Sequence, residues 1–256
     1  MDTITSTNNE LVKETAKLQQ KKYRTSEFLL EGLKPIEEAL ACNLKIERVF
    51  INQKCESLVK KFQTQNVILT NEAVLKKISA TDSAPEIVAV AKQKHYSLSD
   101  IKSAKNIILL ENIKDAGNLG TIIRTAKALN FDAIILFGQT VDLYNPKTVR
   151  SAVGNLWKLP IVELKDFNQL QQSFKEYEKI ATLPKSNSTV SLRNYTPKSK
   201  LLIMFGSEAD GLSNELKQRA TTNLTIEMNK DVESLNLSVS ASIVMYEISS
   251  KQRMII

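Results

Sequence analysis

Two rhythms of apolar and polar positions run along the chain. From residue 106 onward, short apolar runs recur: NIILLE at 106–111, DAIILFG at 132–138, LPIVEL at 159–164, KIATLP at 179–184 and LLIMFG at 201–206. Between them lie stretches with helical spacing at 118–130, at 145–156 with proline in the first turn, and at 166–178. A helix after Leu212, a strand LTIEM at 224–228 and a long helix over 236–251 close the pattern. Runs that are apolar throughout belong to strands covered on both faces, and helices between successive strands supply the crossovers that parallel pairing requires. The pattern predicts an α/β unit on a parallel sheet. The stretch SNSTVSLRNYTPKSK at 186–200 fits either a connector or a loop over an active site.

The first 92 residues read differently. A polar helix is expected over 8–22, ending in the basic cluster Lys21, Lys22 and Arg24. Strands follow at 28–32, 46–51, 66–70 and 86–92, with helices at 33–42, 57–63 and 71–79, the last opened by an Asn71 cap. Four short strands interleaved with helices make a small α/β module, residues 1–92. Residues 93–105 lose the periodicity and read as a linker to a domain spanning 106–256, the alternative being a solvated loop within one domain. His95, the only histidine, falls in this lysine-bearing stretch and is expected to be exposed.

Composition narrows the classes. At 42% apolar and 25% charged, the chain can build its core without staples. Its two cysteines, Cys42 and Cys55, are too few for a disulfide framework, and a single histidine leaves them no partner for a zinc site, so no metal is expected. No run approaches the ~18 apolar residues of a membrane span, and the N-terminus lacks an export pattern, which points to a reducing cytoplasm. The net charge of +7 favours a polyanionic partner such as nucleic acid.

Candidate chemistry gathers where apolar strands give way to polar turns, the place where open α/β sheets collect ligands. In NIKDAGNLGTIIRTA at 112–126, Asn118 reads as a helix cap or a site residue, and Arg124 as a surface charge or a second site residue. Six residues separate them, about 600° of helix, so they share no face unless Asn118 turns inward from the bend. In LLIMFGSEADGLSNEL, Gly206 and Gly211 permit close backbone approach, but neither a P-loop nor a GxGxxG follows any strand, so nucleotide cradles of those types are unsupported. In IEMNKDVESLNLSVSASIVMYE at 226–247, Ser234 and Asn236 fit caps or site groups. Lys147 and Arg150, in the 145–156 helix, fit phosphate contacts or solvated charges equally.

In order and interval, the three segments resemble the signature motifs of the SpoU/TrmH superfamily of S-adenosylmethionine-dependent RNA ribose methyltransferases. The first reads N-x-x-D-x-x-N-x-G-x-x-x-R-x-A at Asn112, Asp115, Asn118, Gly120, Arg124 and Ala126, with Ala116 where relatives more often carry proline. At Ala152, relatives usually carry serine.

The resemblance implies a C-terminal parallel-sheet domain tied into a deep trefoil knot of the SPOUT type. A small ribosomal-protein-like α/β RNA-binding domain, carried by KKYRTSEFLLEGLKPIEEAL and IERVFI, precedes it. S-adenosylmethionine is the implied cofactor, bound around Gly206, Ile226, Met228 and Leu235. Asn118, Arg124, Glu208, Ser234 and Asn236 form the implied catalytic wall, with Arg124 either the base or a cation that positions phosphate and hydroxyl. Lys21, Lys22, Arg24, Lys147 and Arg150 are the candidate RNA contacts, and a homodimer is expected. The two-domain layout favours large-subunit (23S-type) ribosomal RNA as substrate. Transfer RNA, or a non-catalytic RNA-binding or assembly role on the same fold, are the alternatives.

Overall fold

A computed structural model describes residues 2–254. In chain order its elements are β1 (Asp2–Ile4), α1 (Glu10–Lys17), β2 (Glu27–Glu31), α2 (Leu33–Ala41), β3 (Ile46–Asn52), β4 (Val67–Thr70), α3 (Glu72–Ile78), β5 (Ile87–Lys92), β6 (Asn106–Glu111) and α4 (Ala116–Ala128). There follow β7 (Ala133–Phe137), α5 (Pro146–Ser151), β8 (Ile161–Leu164), α6 (Phe167–Ser173), β9 (Glu178–Thr182), β10 (Val190–Ser191), β11 (Leu201–Phe205), α7 (Asn214–Arg219), β12 (Thr222–Thr225) and α8 (Leu237–Met254). They form two compact units: residues up to Lys94 with Asp142–Trp157, and His95–Val141 with Lys158 onward. From His95 on, the linker stretch belongs to the second unit, where Leu98–Ile101 forms a 3-10 turn closed by a Ser97–Asp100 capping box, and His95 is exposed.

The first unit is a mixed sheet in the order β1-β4-β3-β5-β2. β5 runs antiparallel to both β3 and β2, while β3, β4 and β1 are parallel. One face is sealed by Val12 of α1 and Val74, Leu75 and Ile78 of α3 against Leu29, Phe50, Ile68 and Val90. β1 has no sequence signal because three residues cannot show a period; it is held at the edge by its ladder and by Thr70 Oγ1 donating to the Ile4 carbonyl at 2.6 Å. The expected helix over 8–22 stops at Lys17, and a separate 3-10 turn carries Lys21–Tyr23. The helix expected over 57–63 is likewise the end of a kinked 3-10 stretch, Gln53–Phe62.

α5 packs in this unit and is shorter than the 145–156 pattern suggests. The chain turns left-handed at Val153 and Gly154 (φ 45° and 73°). The φ of Gly154 is one that favours glycine, and a Cβ there would also displace the Glu38 carboxylate, 1.5 Å away.

The second unit is a seven-stranded, wholly parallel sheet in the order β10-β12-β9-β11-β6-β7-β8. On one face Ile107, Leu109, Ile135, Leu202 and Met204 pack under Leu170 and Phe174 from the α6 segment and Leu216 of α7. α4 and α8 pack together, burying Leu119, Ile122, Ile123, Ala241, Val244 and Ile248, and Ser242 Oγ donates to Thr125 Oγ1 at 3.3 Å. Both faces are therefore covered, which is why the strands read as unbroken apolar runs.

The connections fix where a ligand can sit. From β6 the chain proceeds outward through β7 to β8, then returns to the other side for β9, β11 and β12. The order reverses between β6 and β11, whose residues pair from Leu201↔Asn106 to Phe205↔Leu110. The loops leaving their C-terminal ends lie side by side at this switch point.

The 186–200 stretch is a pinned connector containing edge strand β10, too short to show alternation. Lys251 Nζ donates to the carbonyls of Leu192, Arg193 and Tyr195 at 2.8–2.9 Å. Tyr195 Oη donates to Glu178 at 2.9 Å, and burial, with that carboxylate beside it, pushes the phenol pKa well up. Among the described residues, no helix is long and apolar enough to cross a membrane.

Candidate active site

The first loop is shaped by two polar side chains. Asn112, at φ 54°, turns left-handed directly after β6, and its Oδ1 accepts the Gln139 amide at 2.8 Å. Asp115 is the N-cap of α4 and accepts the Asn118 amide at 2.8 Å. The capping reading of Asn118 is thereby corrected: Asp115 does that work, leaving the Asn118 side chain for other partners.

The second loop follows β11 and folds back on itself. Gly211 N donates to the Ser207 carbonyl at 3.0 Å, and Ser207 Oγ accepts the Asp210 amide at 3.0 Å. A Cβ on Gly206 would lie 1.9 Å from the Gly211 carbonyl carbon and 2.1 Å from Leu212 N, so glycine here is required by backbone crossing backbone. The two loops are tied by Glu111, only 3% exposed, whose Oε2 accepts the Ser213 amide at 2.7 Å. The sequence reading missed Glu111, although a carboxylate ending an otherwise apolar strand was a usable signal.

The third loop begins earlier than expected, because β12 ends at Thr225 and Ile226 and Met228 leave the sheet. It ends at Asn236, whose Oδ1 accepts the amides of Ser238 (2.9 Å) and Val239 (3.3 Å) and the Ser238 hydroxyl (2.7 Å). With its oxygen committed to the start of α8, the Asn236 amide must point Nδ2 outward, where it donates to Asn118 Oδ1 at 3.1 Å. Asn118 Nδ2 in turn donates to Glu208 Oε1 at 2.7 Å. The direction of the chain Asn236 → Asn118 → Glu208 is thus set at the helix end and terminates on a carboxylate. Glu208 is exposed, and its second oxygen makes no hydrogen bond to a described residue.

Three of the five expected catalytic residues therefore meet. The Ser234 and Arg124 side chains are exposed and join neither this chain nor any other hydrogen bond among the described residues. Gly206, Ile226, Met228 and Leu235 sit on the second and third loops.

Of the expected RNA contacts, Lys21 and Lys22 are exposed, whereas Arg24 departs from expectation. Its side chain is 2% exposed, paired with Asp142 at 2.7 Å and donating to the Leu18 carbonyl, so it is an internal cross-link of the first unit with no face for phosphate. Lys147 is exposed at the start of α5, and Arg150 lies 3.6 Å from the largely buried carboxylate of Glu31.

Residues 105–246 match the SpoU rRNA methylase family. The chain belongs to that family. Membership carries the SPOUT trefoil-knot topology, here on the all-parallel sheet of the second unit. Residues 9–89 match the MRM3-like substrate binding domain, the mixed-sheet part of this SpoU protein. An uncharacterised tRNA/rRNA methyltransferase of Synechocystis is 32% identical, over 97% of this chain and 94% of its own. The 23S rRNA guanosine-2'-O-methyltransferase RlmP of Bacillus subtilis is 28% identical, over 97% of this chain and 99% of its own. A crystal structure of an AdoMet-bound rRNA methyltransferase from Sinorhizobium meliloti superposes with a TM-score of 0.88 at 29% identity, covering 100% of this chain and 98% of that one.

The hydrogen-bonded chain makes a specific prediction. Asn118→Asp removes the amide that donates to Glu208 and sets a like charge beside that carboxylate. Methyl transfer by this variant is expected to fall at least about tenfold, since the carboxylate loses the partner that orients it. Wild-type turnover in N118D would remove Glu208 and Asn118 from the chemistry.

Proposed function

We propose that this protein transfers the methyl group of S-adenosylmethionine to a ribose 2'-hydroxyl of RNA, with large-subunit ribosomal RNA as the substrate. The observation that carries the reading is the Asn236–Asn118–Glu208 chain at the β6/β11 switch point. RlmP, named for 23S rRNA methylation and aligned along nearly its whole length, supports the substrate class.

The loops fit the cofactor. Met228 is 37% exposed and Leu235 half-buried, and the backbone groups of both make no hydrogen bond to other described residues. Apolar side chains beside unspent amides and carbonyls suit a purine nucleoside. Gly206, Ile226, Met228 and Leu235 would hold it.

When bound, the cofactor supplies an electrophilic sulfonium methyl; the protein's task is to present a ribose hydroxyl to it and take up a proton. Glu208 has one oxygen fixed by Asn118 and one left to accept a hydrogen bond from the hydroxyl. Asn118, itself held by Asn236, orients that carboxylate towards the site. Arg124 acts as the cation that positions a neighbouring phosphate, since a guanidinium binds phosphate through a fixed fork of donors. Ser234, exposed on the third loop, is available to the substrate ribose.

The proposed assembly is a homodimer in a reducing cytoplasm, where Cys42 and Cys55, both free, need no pairing. Supporting it, Val239, Ile243 and Tyr246 of α8 are 46%, 38% and 64% exposed and recur at i, i+4 and i+7, an apolar stripe on one helix face.

Two measurements test the reading. Isothermal titration should show one S-adenosylmethionine per chain, and no binding at millimolar cofactor would defeat it. Light scattering should give twice the mass of one chain, reduced to one by Tyr246→Lys; an active monomer would refute the dimer.

A further inference from the structure

The α1–α3 edge of the first unit carries a basic surface separate from the loops described above. α1 and α3 are tied where Gln19 Nε2 donates to the Lys77 carbonyl at 2.8 Å. Between them runs an open groove of about 530 Å³, lined by Thr7, Asn8, Lys13, Gln19, Lys77 and Ser79 among others. Lys17 stands one helical turn from Lys13 and leads to Tyr23, a residue 40% exposed. Lys17 Nζ lies 5.8 Å and Lys22 Nζ 4.9 Å from the centre of that ring.

The charges here are not neutralised in the usual way. Lys13, Lys17, Lys22 and Lys77 form no ion pair with any described residue, although Glu10 and Glu14 share α1 with the first two. Lys76 of the same groove differs, because its ammonium is spent on the carbonyls of Thr81 and Asp82. Uncompensated ammonium groups along a groove, next to an exposed aromatic ring, supply what a single-stranded nucleic acid needs. Phosphates take the cations, an unstacked base takes the ring, and hydroxyl and amide side chains reach the ribose. A duplex keeps its bases stacked and cannot use the ring.

We infer that the α1–α3 edge captures a single-stranded RNA segment, with phosphates on Lys13, Lys17 and Lys77 and an unpaired base on Tyr23. This rests on the reading of the protein as an RNA-modifying enzyme, and adds where and in what form the RNA is held.

The test uses full-length protein, a labelled unstructured oligoribonucleotide and a hairpin duplex, titrated at several salt concentrations. K13Q/K77Q should weaken single-strand binding by about tenfold or more and flatten the slope of log K against log salt by about 1.4, at ~0.7 for each lost phosphate contact. Y23L should lose at least about fivefold in affinity with its slope unchanged, the signature of stacking. K34Q, at an exposed lysine of α2 outside the groove, serves as the control and should bind as wild type. Thermal midpoints close to wild type establish that the variants are folded. Wild-type affinity and slope in K13Q/K77Q, a silent Y23L, or preference for the duplex overturns the inference. Wild-type protein that binds no RNA defeats the enzymatic reading as well.

Discussion

Arg124→Ala is expected to reduce methyl transfer by at least about a hundredfold while S-adenosylmethionine affinity stays within a few fold and the thermal midpoint hardly moves. Arg124 carries little of the fold. Its side chain is exposed on α4 and makes no hydrogen bond or ion pair with a described residue, so its removal opens no cavity and orphans no buried group. Substitutions of that kind usually change stability by less than about 0.5 kcal/mol. The cofactor site is proposed to be built from Gly206, Met228 and Leu235, so its affinity should survive. What disappears is the cation proposed to hold the RNA phosphate beside the target ribose. Arg124→Lys should recover only part of the rate, because an ammonium keeps the charge without the planar fork. Normal turnover in R124A would show that the proposed site is wrong.

Gly206→Ala should have the largest effect on the fold of the site. The added carbon would meet the Gly211 carbonyl carbon at 1.9 Å, its oxygen at 2.1 Å and Leu212 N at 2.1 Å. These are backbone atoms and cannot swing aside as a flexible side chain would. The loop must open, and with it go the Ser207–Gly211 bridge and the alignment of Ser213 N on Glu111. A loss of about 2–3 kcal/mol, the upper range for overpacking, is expected together with loss of cofactor binding. Gly211→Ala is the informative companion: nothing lies within 4 Å of its added carbon, and only its φ of +66° opposes the change. That variant should lose about 1 kcal/mol and keep its ligand. Equal behaviour of the two variants would show that the crossing of this loop does not shape the site.

The parallel sheet was legible because burial on both faces forces strands such as LLIMFG to be apolar at every position, and the structure finds that one at Leu201–Phe205, whereas the more polar LTIEM pairs only as far as Thr225. Elements that draw stability from pairing rather than from their own pattern were not legible, as with β1 and β10, three and two residues long. Helix ends were misjudged where local backbone and capping decide them: α5 ends at Ser151 before the left-handed turn at Val153 and Gly154, and Asp115 rather than Asn118 caps α4. The Asn118, Glu208 and Asn236 positions came from the resemblance; their contact could not, because it joins residues 90 and 118 places apart in the chain. Arg24 was misread for the opposite reason. A basic cluster suggests a solvated face, and only the fold reveals that one of its three members is buried against Asp142.

The central claim is methyl transfer to a ribose hydroxyl, and its most direct test follows the label. Purified protein is incubated with methyl-labelled S-adenosylmethionine and unmodified large-subunit ribosomal RNA, and the RNA is then hydrolysed in alkali. A 2'-O-methyl group blocks cleavage at its own nucleotide, so the account predicts that the label is recovered in alkali-resistant dinucleotides from a defined site, and that R124A leaves none there. Label found on free mononucleotides, where only a methylated base could carry it, or no label in RNA at all, would contradict the account.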